Sequence, residues 1–164
     1  MELQHAGLIA AMIAYDKGDP MRIQHFIKVH DFAAVIGRLE NIDKDTLFVL
    51  ETAAIVHDIG IHISEQKYGR CDGKLQEQEG PREAESLLKS VGGYTDEQIA
   101  RVCWLVGHHH TYSHIDGIDY QILVEADFLV NIYEDKIEKS VVASVRQKIF
   151  KTKSGIAFLD AMFD

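Results

Sequence analysis

The sequence has few cysteines, few prolines and fewer basic than acidic side chains, and each shortage excludes a class of protein. Two cysteines in 164 residues, Cys71 and Cys103, cannot build a disulfide scaffold, so a reducing cytoplasm is the predicted location. Seventeen Lys and Arg against twenty-six Asp and Glu give a formal net charge of −9. Because polynucleotides and anionic membranes are bound by unopposed basic side chains, neither is predicted as a partner.

Long hydrophobic runs are also missing. The longest uncharged stretch near the start, residues 3–15, is shorter than the ~20 residues that cross a bilayer. Glu2 precedes it where an export signal carries basic residues. We interpret this stretch as an N-terminal helix packed on the domain, whose apolar residues can serve a homodimer contact.

With two prolines and little β-branched alternation, the chain is predicted to be all-α. Its length corresponds to one domain over residues 1–164, since domains average about 150 residues. Asp19 and Pro20 form a helix start signal, as N-cap and first helical position. Further helices are predicted at about residues 20–40, 44–58 (stopped by Gly60), 82–91 (opened by Pro81), 95–107, 119–133 and 136–151, with a short tail near 157–163. Residues 61–79 lose helical periodicity and are predicted as a long functional loop.

The strongest chemical signal is the pair His57-Asp58, at the end of the second of these helices. Leu47, Leu50 and Ala54 recur on one helix face, and this spacing brings the pair to the core side. An isolated buried carboxylate is costly, whereas a divalent cation accepts both an imidazole nitrogen and a carboxylate oxygen. For a dipeptide taken alone, the alternative of a capping histidine beside a surface aspartate is the commoner explanation.

Two further positions strengthen the metal hypothesis. His25 lies on an apolar helix face, whereas His30 points ~140° away by its five-residue offset, so only one can face a given site and we favour His25. Asp127 lies within the apolar segment 122–130, where a carboxylate needs a cation; the alternative is a solvated aspartate on a two-faced helix. Glu125 is interpreted as the residue on the solvent side of that helix.

The order of His25, His57-Asp58 and Asp127 resembles the HD-domain superfamily of metal-dependent phosphohydrolases, over about residues 20–135. The resemblance implies a compact bundle of about six to eight helices, with the N-terminal and C-terminal helices packed on the core. It also implies that these four residues hold a divalent transition metal. The pattern is nearest to the HDIG-type, diadenosine-tetraphosphatase-like hydrolases, while the HD-GYP signature is absent.

Members of the superfamily with two metals carry further histidines before the last aspartate. Here His109, then His110 and last His108 are the matching candidates, and a polar surface turn is the alternative for this triplet. Glu79 stands where these members have a histidine shortly before a proline. A carboxylate there can still bind a metal, but the difference leaves the second ion and the usual substrate open. Asp58 would bridge the two ions.

The resemblance implies hydrolysis of a nucleotide or another small phosphate ester by water activated on one or two ions of Fe, Mn, Co, Ni or Zn. Asp58 would belong to the catalytic group, and Lys67 or Arg70 would neutralise charge on the transferring phosphoryl group. The alternative for these basic residues is a solvated face. Two other functions stay open, a di-iron oxygenase and a non-catalytic HD module that senses a metal or nucleotide.

Overall fold

The computed structural model describes residues 2–163, and every regular element in this range is an α-helix. The helices are α1 (Leu3–Tyr15), α2 (Pro20–Leu39), α3 (Lys44–Val56), α4 (Gly60–Tyr68), α5 (Gly73–Val91), α6 (Asp96–Val106), α7 (Ile118–Glu134), α8 (Lys139–Lys148) and α9 (Lys153–Phe163). The predicted all-α bundle is confirmed.

Helix α3 is the central element of the core. Each residue from Val49 to Val56 is buried, and α3 packs against α1, α2, α6 and α7. Ala53 and Ala54 are fully buried, and their small side chains let the neighbouring helices approach closely. The helix ends two residues earlier than predicted, so His57 and Asp58 lie in a short connection that is itself enclosed by the bundle.

The predicted loop over residues 61–79 is wrong, because most of this segment is helical. Helix α4 ends where Gly69 adopts a left-handed conformation with φ of 66°, which glycine does at little cost. Helix α5 begins after Asp72, whose carboxylate accepts a hydrogen bond of 3.1 Å from the Leu75 N–H. The connection between the two helices is therefore short.

Pro81 lies inside α5 and does not open a helix, which corrects a second prediction. The buried residues of α5 are Gly80, Ala84 and Leu88, so small side chains form most of its core face. In the first half of α5, residues 73–81, Leu75 is the one large apolar residue, and a proline in a helix interior normally breaks the helix. Both facts explain why the sequence pattern predicts a loop there.

The sequence predicts Glu125 on the solvent side of its helix, and this prediction is wrong, because the side chain is fully buried. Its carboxylate accepts hydrogen bonds from the backbone N–H groups of Lys151 at 2.6 Å and Thr152 at 3.0 Å. These groups immediately precede α9, whose N-terminal end attracts negative charge. Gly155 makes room for this contact, because an added Cβ would lie 2.0 Å from the carboxylate. The short tail predicted near residues 157–163 thus belongs to a docked helix.

One continuous stretch, Lys44–Tyr68, is long and apolar enough to cross a membrane by length and composition. In its most apolar window, 61% is buried inside the bundle. Such burial is typical of core helices in a soluble protein. The cytoplasmic location stays a prediction.

Two glycines should respond in opposite ways to substitution, because Gly60 lies in the close contact between α4 and α5 and Gly7 lies on α1 with room for an added Cβ. A Cβ at Gly60 would lie 2.7 Å from the Gln76 carbonyl oxygen and 2.9 Å from the Gly80 nitrogen, whereas a Cβ at Gly7 would meet only Val91 at 3.8 Å. We expect Gly60→Ala to lower the free energy of unfolding by about 1–3 kcal/mol through overpacking. We expect Gly7→Ala to raise it by about 0.5–1 kcal/mol through helix propensity. Urea unfolding followed by circular dichroism measures both, and equal stability of Gly60→Ala and the unsubstituted chain would contradict the described contact.

Candidate metal centre

Three parts of the bundle contribute side chains to one polar cluster in the core. His25 comes from α2, His57 and Asp58 from the connection after α3, and Asp127 from α7. Because α2 packs on both α3 and α7, residues separated by about a hundred positions become neighbours. The exposed fractions of His25, His57 and Asp127 are 7%, 0% and 4%.

The four side chains direct one atom each toward a common point. The Nε2 atom of His25 lies 3.2 Å from His57 Nε2, 3.3 Å from Asp127 Oδ1 and 3.4 Å from Asp58 Oδ2. The His57 Nε2 atom lies 3.5 Å from Asp127 Oδ1 and 3.6 Å from Asp58 Oδ2. His25, His57 and Asp58 form a group that can hold one cation, and Asp127 Oδ1 lies close enough to both nitrogens to add a fourth donor.

The outer nitrogens of the two histidines have partners of their own. His57 Nδ1–H donates to the Ala54 carbonyl at 2.9 Å, and His25 Nδ1–H donates to Glu134 Oε2 at 2.8 Å. These bonds leave the Nε2 lone pairs directed at the common point. Histidine ligands of metals are oriented in this way by carbonyl and carboxylate acceptors.

A second group adjoins the first through Asp58. The His109 Nε2 atom lies 3.3 Å from Asp58 Oδ1, and its Nδ1–H donates to the Val106 carbonyl at 2.9 Å. His109 Nε2 is buried and lacks a hydrogen-bond partner among the described residues. His110 completes this group, within which the candidate ligand atoms lie within 4.8 Å of one another. Asp58 therefore faces one group with each of its oxygens.

The pKa values of the cluster show that its carboxylates attract positive charge. Burial opposes ionisation of Asp58 and Asp127, yet nearby histidines hold both carboxyl pKa values below their usual range, chiefly His57 and His109 for Asp58. Burial alone would lower the pKa of His25, but hydrogen bonding to Asp127 and the charge of Asp58 raise it to about 9. A divalent cation would supply the same compensating charge without protonating a ring.

The donor set and the unpartnered His109 nitrogen fit a divalent metal. Imidazole nitrogens and carboxylate oxygens together suit first-row transition ions, and none of the described cysteines belongs to either group. Because the arrangement offers two adjacent groups, it can accommodate one or two ions. Within the histidine triplet, His108 turns away, with its ring stacked on Trp104 at 4.1 Å.

Three other residues predicted for the site are not brought into either group. Glu79 forms an ion pair with Lys67 and accepts a hydrogen bond of 2.8 Å from the Tyr68 hydroxyl. Arg70 is exposed and lies 3.2 Å from an Asp72 oxygen. Each of the three residues is therefore paired with a side chain outside the two groups.

Sequence reasoning missed a basic residue near the cluster. A cleft of about 490 Å³ opens onto His25, Asp58 and His110. Arg22 is the only Lys or Arg side chain among the described residues that line it. Its position three residues before His25 on the same helix is the signal that could have found it, because such residues share a face.

Two polar residues beyond Asp127 were missed as well. Asn131 donates a hydrogen bond of 2.8 Å from Nδ2 to Asp127 Oδ1, and Glu134 holds the His25 ring. Asn131 lies four residues after Asp127, and Glu134 lies three after Asn131. This spacing on one helix face was available in the sequence.

An all-α bundle with a core cluster of histidines and aspartates indicates a metal-binding class of protein. Comparison with known families identifies the family. The model of the HD domain matches residues 22–145, so the chain belongs to the HD domain family. HD domains bind divalent metals and are typically metal-dependent hydrolases. No curated protein and no solved structure matched the chain.

The geometry predicts a graded loss of metal from two substitutions on α7. Asp127→Asn removes a charged donor, and we expect it to lose one bound ion relative to the unsubstituted chain. Asn131→Ala removes only the amide that orients Asp127, so affinity for Mn²⁺ should fall by about 10–100-fold. Equilibrium dialysis with elemental analysis measures both. Glu85→Gln, which alters an exposed pair with Lys89, is the control, and unchanged metal content in Asp127→Asn would contradict the assignment.

Proposed function

We propose that this HD domain is a metal-dependent phosphohydrolase that acts on a small phosphate ester, with a nucleotide favoured. The observation that carries the proposal is the position of four donor atoms from His25, His57, Asp58 and Asp127. The two Nε2 atoms lie 3.2 Å apart, and each lies 3.3–3.6 Å from an oxygen of both carboxylates. This cluster borders the cleft of about 490 Å³, so a ligand in the cleft would reach it.

The chemistry of the site follows from its donors. His25, His57, Asp58 and Asp127 would hold a divalent metal, which would supply a hydroxide near neutral pH and polarise a phosphoryl oxygen. Asp58 contributes to both groups of metal-binding side chains, since its Oδ2 faces His25 and its Oδ1 faces His109. Because the proposed nucleophile is water, the reaction needs no Ser or Cys nucleophile, and neither Cys71 nor Cys103 belongs to the cluster.

Arg22 is the residue we assign to the substrate phosphate. Its planar guanidinium group suits two-point contact with phosphate oxygens. In the structure it pairs with Glu65 at 2.6 Å and Asp19 at 3.3 Å, so binding exchanges a carboxylate partner for a phosphate. Lys67 does not line the cleft, which leaves it a poorer candidate.

The walls of the cleft favour a substrate with an apolar or planar part. Apolar side chains from α2, α7, α8 and the segment before α8 line it: Met21, Phe128, Ile132, Ile137, Val141 and Val145. A nucleobase fits such walls, whereas inorganic phosphate or a sugar phosphate would leave them uncovered. This feature supports the choice of a nucleotide.

Asp58→Ala is the direct test of the reaction. We expect it to abolish hydrolysis on a panel of phosphomonoesters, phosphodiesters and dinucleoside polyphosphates, because both groups lose a donor. Phosphate release and metal content are measured on the same samples. Hydrolysis that persists after the metal is lost would disprove the mechanism. Iron content with oxygen consumption would favour a di-iron oxygenase, and micromolar nucleotide binding without turnover would favour a sensor module.

Arg22→Gln and Lys67→Gln separate the two candidates for phosphate binding. Removing a charged hydrogen-bond donor costs about 1.5–3 kcal/mol, so Arg22→Gln should lower kcat/KM roughly 10- to 150-fold. Lys67→Gln should stay within about twofold of the unsubstituted enzyme, since an exposed ion pair contributes little. Steady-state kinetics on the best substrate measure both, and the reverse ranking would return the role to Lys67.

A further inference from the structure

A second histidine and carboxylate cluster lies in a different part of the core. His5 of α1, His30 of α2 and Glu51 of α3 are exposed by only 0%, 3% and 2%. Their candidate ligand atoms lie within 4.8 Å of one another. None of these residues belongs to the centre described above, so the cluster needs its own explanation.

The hydrogen bonds of the two rings leave one nitrogen of each directed inward. His5 Nε2 lies 3.0 Å from Thr52 Oγ1, and His30 Nδ1 lies 3.1 Å from Asp31 Oδ1. The opposite nitrogens, His5 Nδ1 and His30 Nε2, are buried and face the Glu51 carboxylate, but neither makes a well-aligned hydrogen bond among the described residues. This is the pattern of metal-binding histidines, in which the outer nitrogen is held by an oxygen acceptor.

The distances within the cluster match a small tetrahedral ion. The Glu51 Oε2 atom lies 3.0 Å from His5 Nδ1 and 3.6 Å from His30 Nε2. Zinc bonds of about 2.0–2.1 Å that meet at the tetrahedral angle put ligand atoms about 3.3–3.4 Å apart. The observed separations lie on either side of this value, so small side-chain shifts would suffice to bind the ion.

Arg38 is the competing explanation for the buried charge of Glu51. Its guanidinium group lies 2.7 Å from Glu51 Oε1, and its side chain is half exposed. Arg38 therefore compensates the outer oxygen and leaves Oε2 facing the two rings. The neighbouring histidines and Arg38 outweigh burial and hold the pKa of Glu51 well below its usual value. The carboxylate is thus ionised at neutral pH, as a ligand must be.

We propose that His5, His30 and Glu51 form a second metal site, which binds Zn²⁺ and fastens α1 to α2 and α3. Three protein ligands leave a fourth position for water. A surface cleft of about 590 Å³ reaches His5 and Glu51 and gives the ion an access route. Because His5 lies outside the residues 22–145 that match the HD domain, this site would be an addition to the family core.

The first measurement leaves the proposed site unaltered. In a double variant, Asp58→Ala with Asp127→Asn, the principal centre loses both of its carboxylates. After dialysis against micromolar Zn²⁺, we expect elemental analysis to find one Zn²⁺ per chain. Co²⁺ in its place should give the intense visible absorption of a tetrahedral ion. A folded double variant, judged by circular dichroism, that retains no ion would overturn the proposal.

Two further variants locate the ion. In the double-variant background, Glu51→Gln and His30→Gln should each lose the Zn²⁺ and the Co²⁺ absorption, while Glu97→Gln, on the exposed first turn of α6, should keep both. Zn²⁺ should also raise the thermal unfolding midpoint of the background variant and leave that of Glu51→Gln unchanged. An ion retained equally by Glu51→Gln would place it elsewhere and reject the site. Because no readout is catalytic, failure of the phosphohydrolase proposal would not affect this test.

Discussion

The neutralisation of two carboxylates, the buried Asp127 and the partly exposed Asp58, is the constraint on which the rest of the structure depends. A carboxylate in the core is very costly unless positive charge accompanies it. Here His25, His57 and His109 provide that charge when they are protonated, and a divalent cation provides it without protons. The packing of α2 and α7 against α3 serves to bring these groups together, so the helices that hold the fold also build the site.

Four ligands of this centre could be predicted from the sequence, because the spacing of apolar residues on their helices indicates which side chains face the core. His25 and Asp127 each lie on an apolar face, and His57-Asp58 directly follows the buried end of α3. A polar side chain at an apolar position marked each of these ligands. The helix starts at Asp19 and Thr95 were equally clear, since each is a capping residue with a matching N–H partner. Local chemistry was sufficient in these cases.

The sequence was misleading where tertiary contacts override local preference. Helix α5 continues through Pro81 and buries Gly80, where an added Cβ would lie 2.7 Å from a side-chain carbon of Val106 in α6. A single-chain pattern does not display such a contact. The sequence places Glu125 in solvent, whereas in the structure the backbone N–H groups of Lys151 and Thr152, just before α9, donate hydrogen bonds to its carboxylate. Glu79 is predicted as a ligand by resemblance alone, whereas in the structure it lies on α5 and pairs with Lys67 of α4. Long-range partners determine all three outcomes.

The shared position of Asp58 has a consequence for how the centre fills. Its two oxygens face different groups, so a single negative charge would serve two cations if both groups were occupied. Two divalent ions bridged by one carboxylate repel each other across a few ångströms. Loading would therefore be stepwise and anticooperative, with the first ion held tightly and the second exchanging with the surrounding metal pool. Metal supply, and not only substrate, would then set the fraction of chains that carry a complete pair.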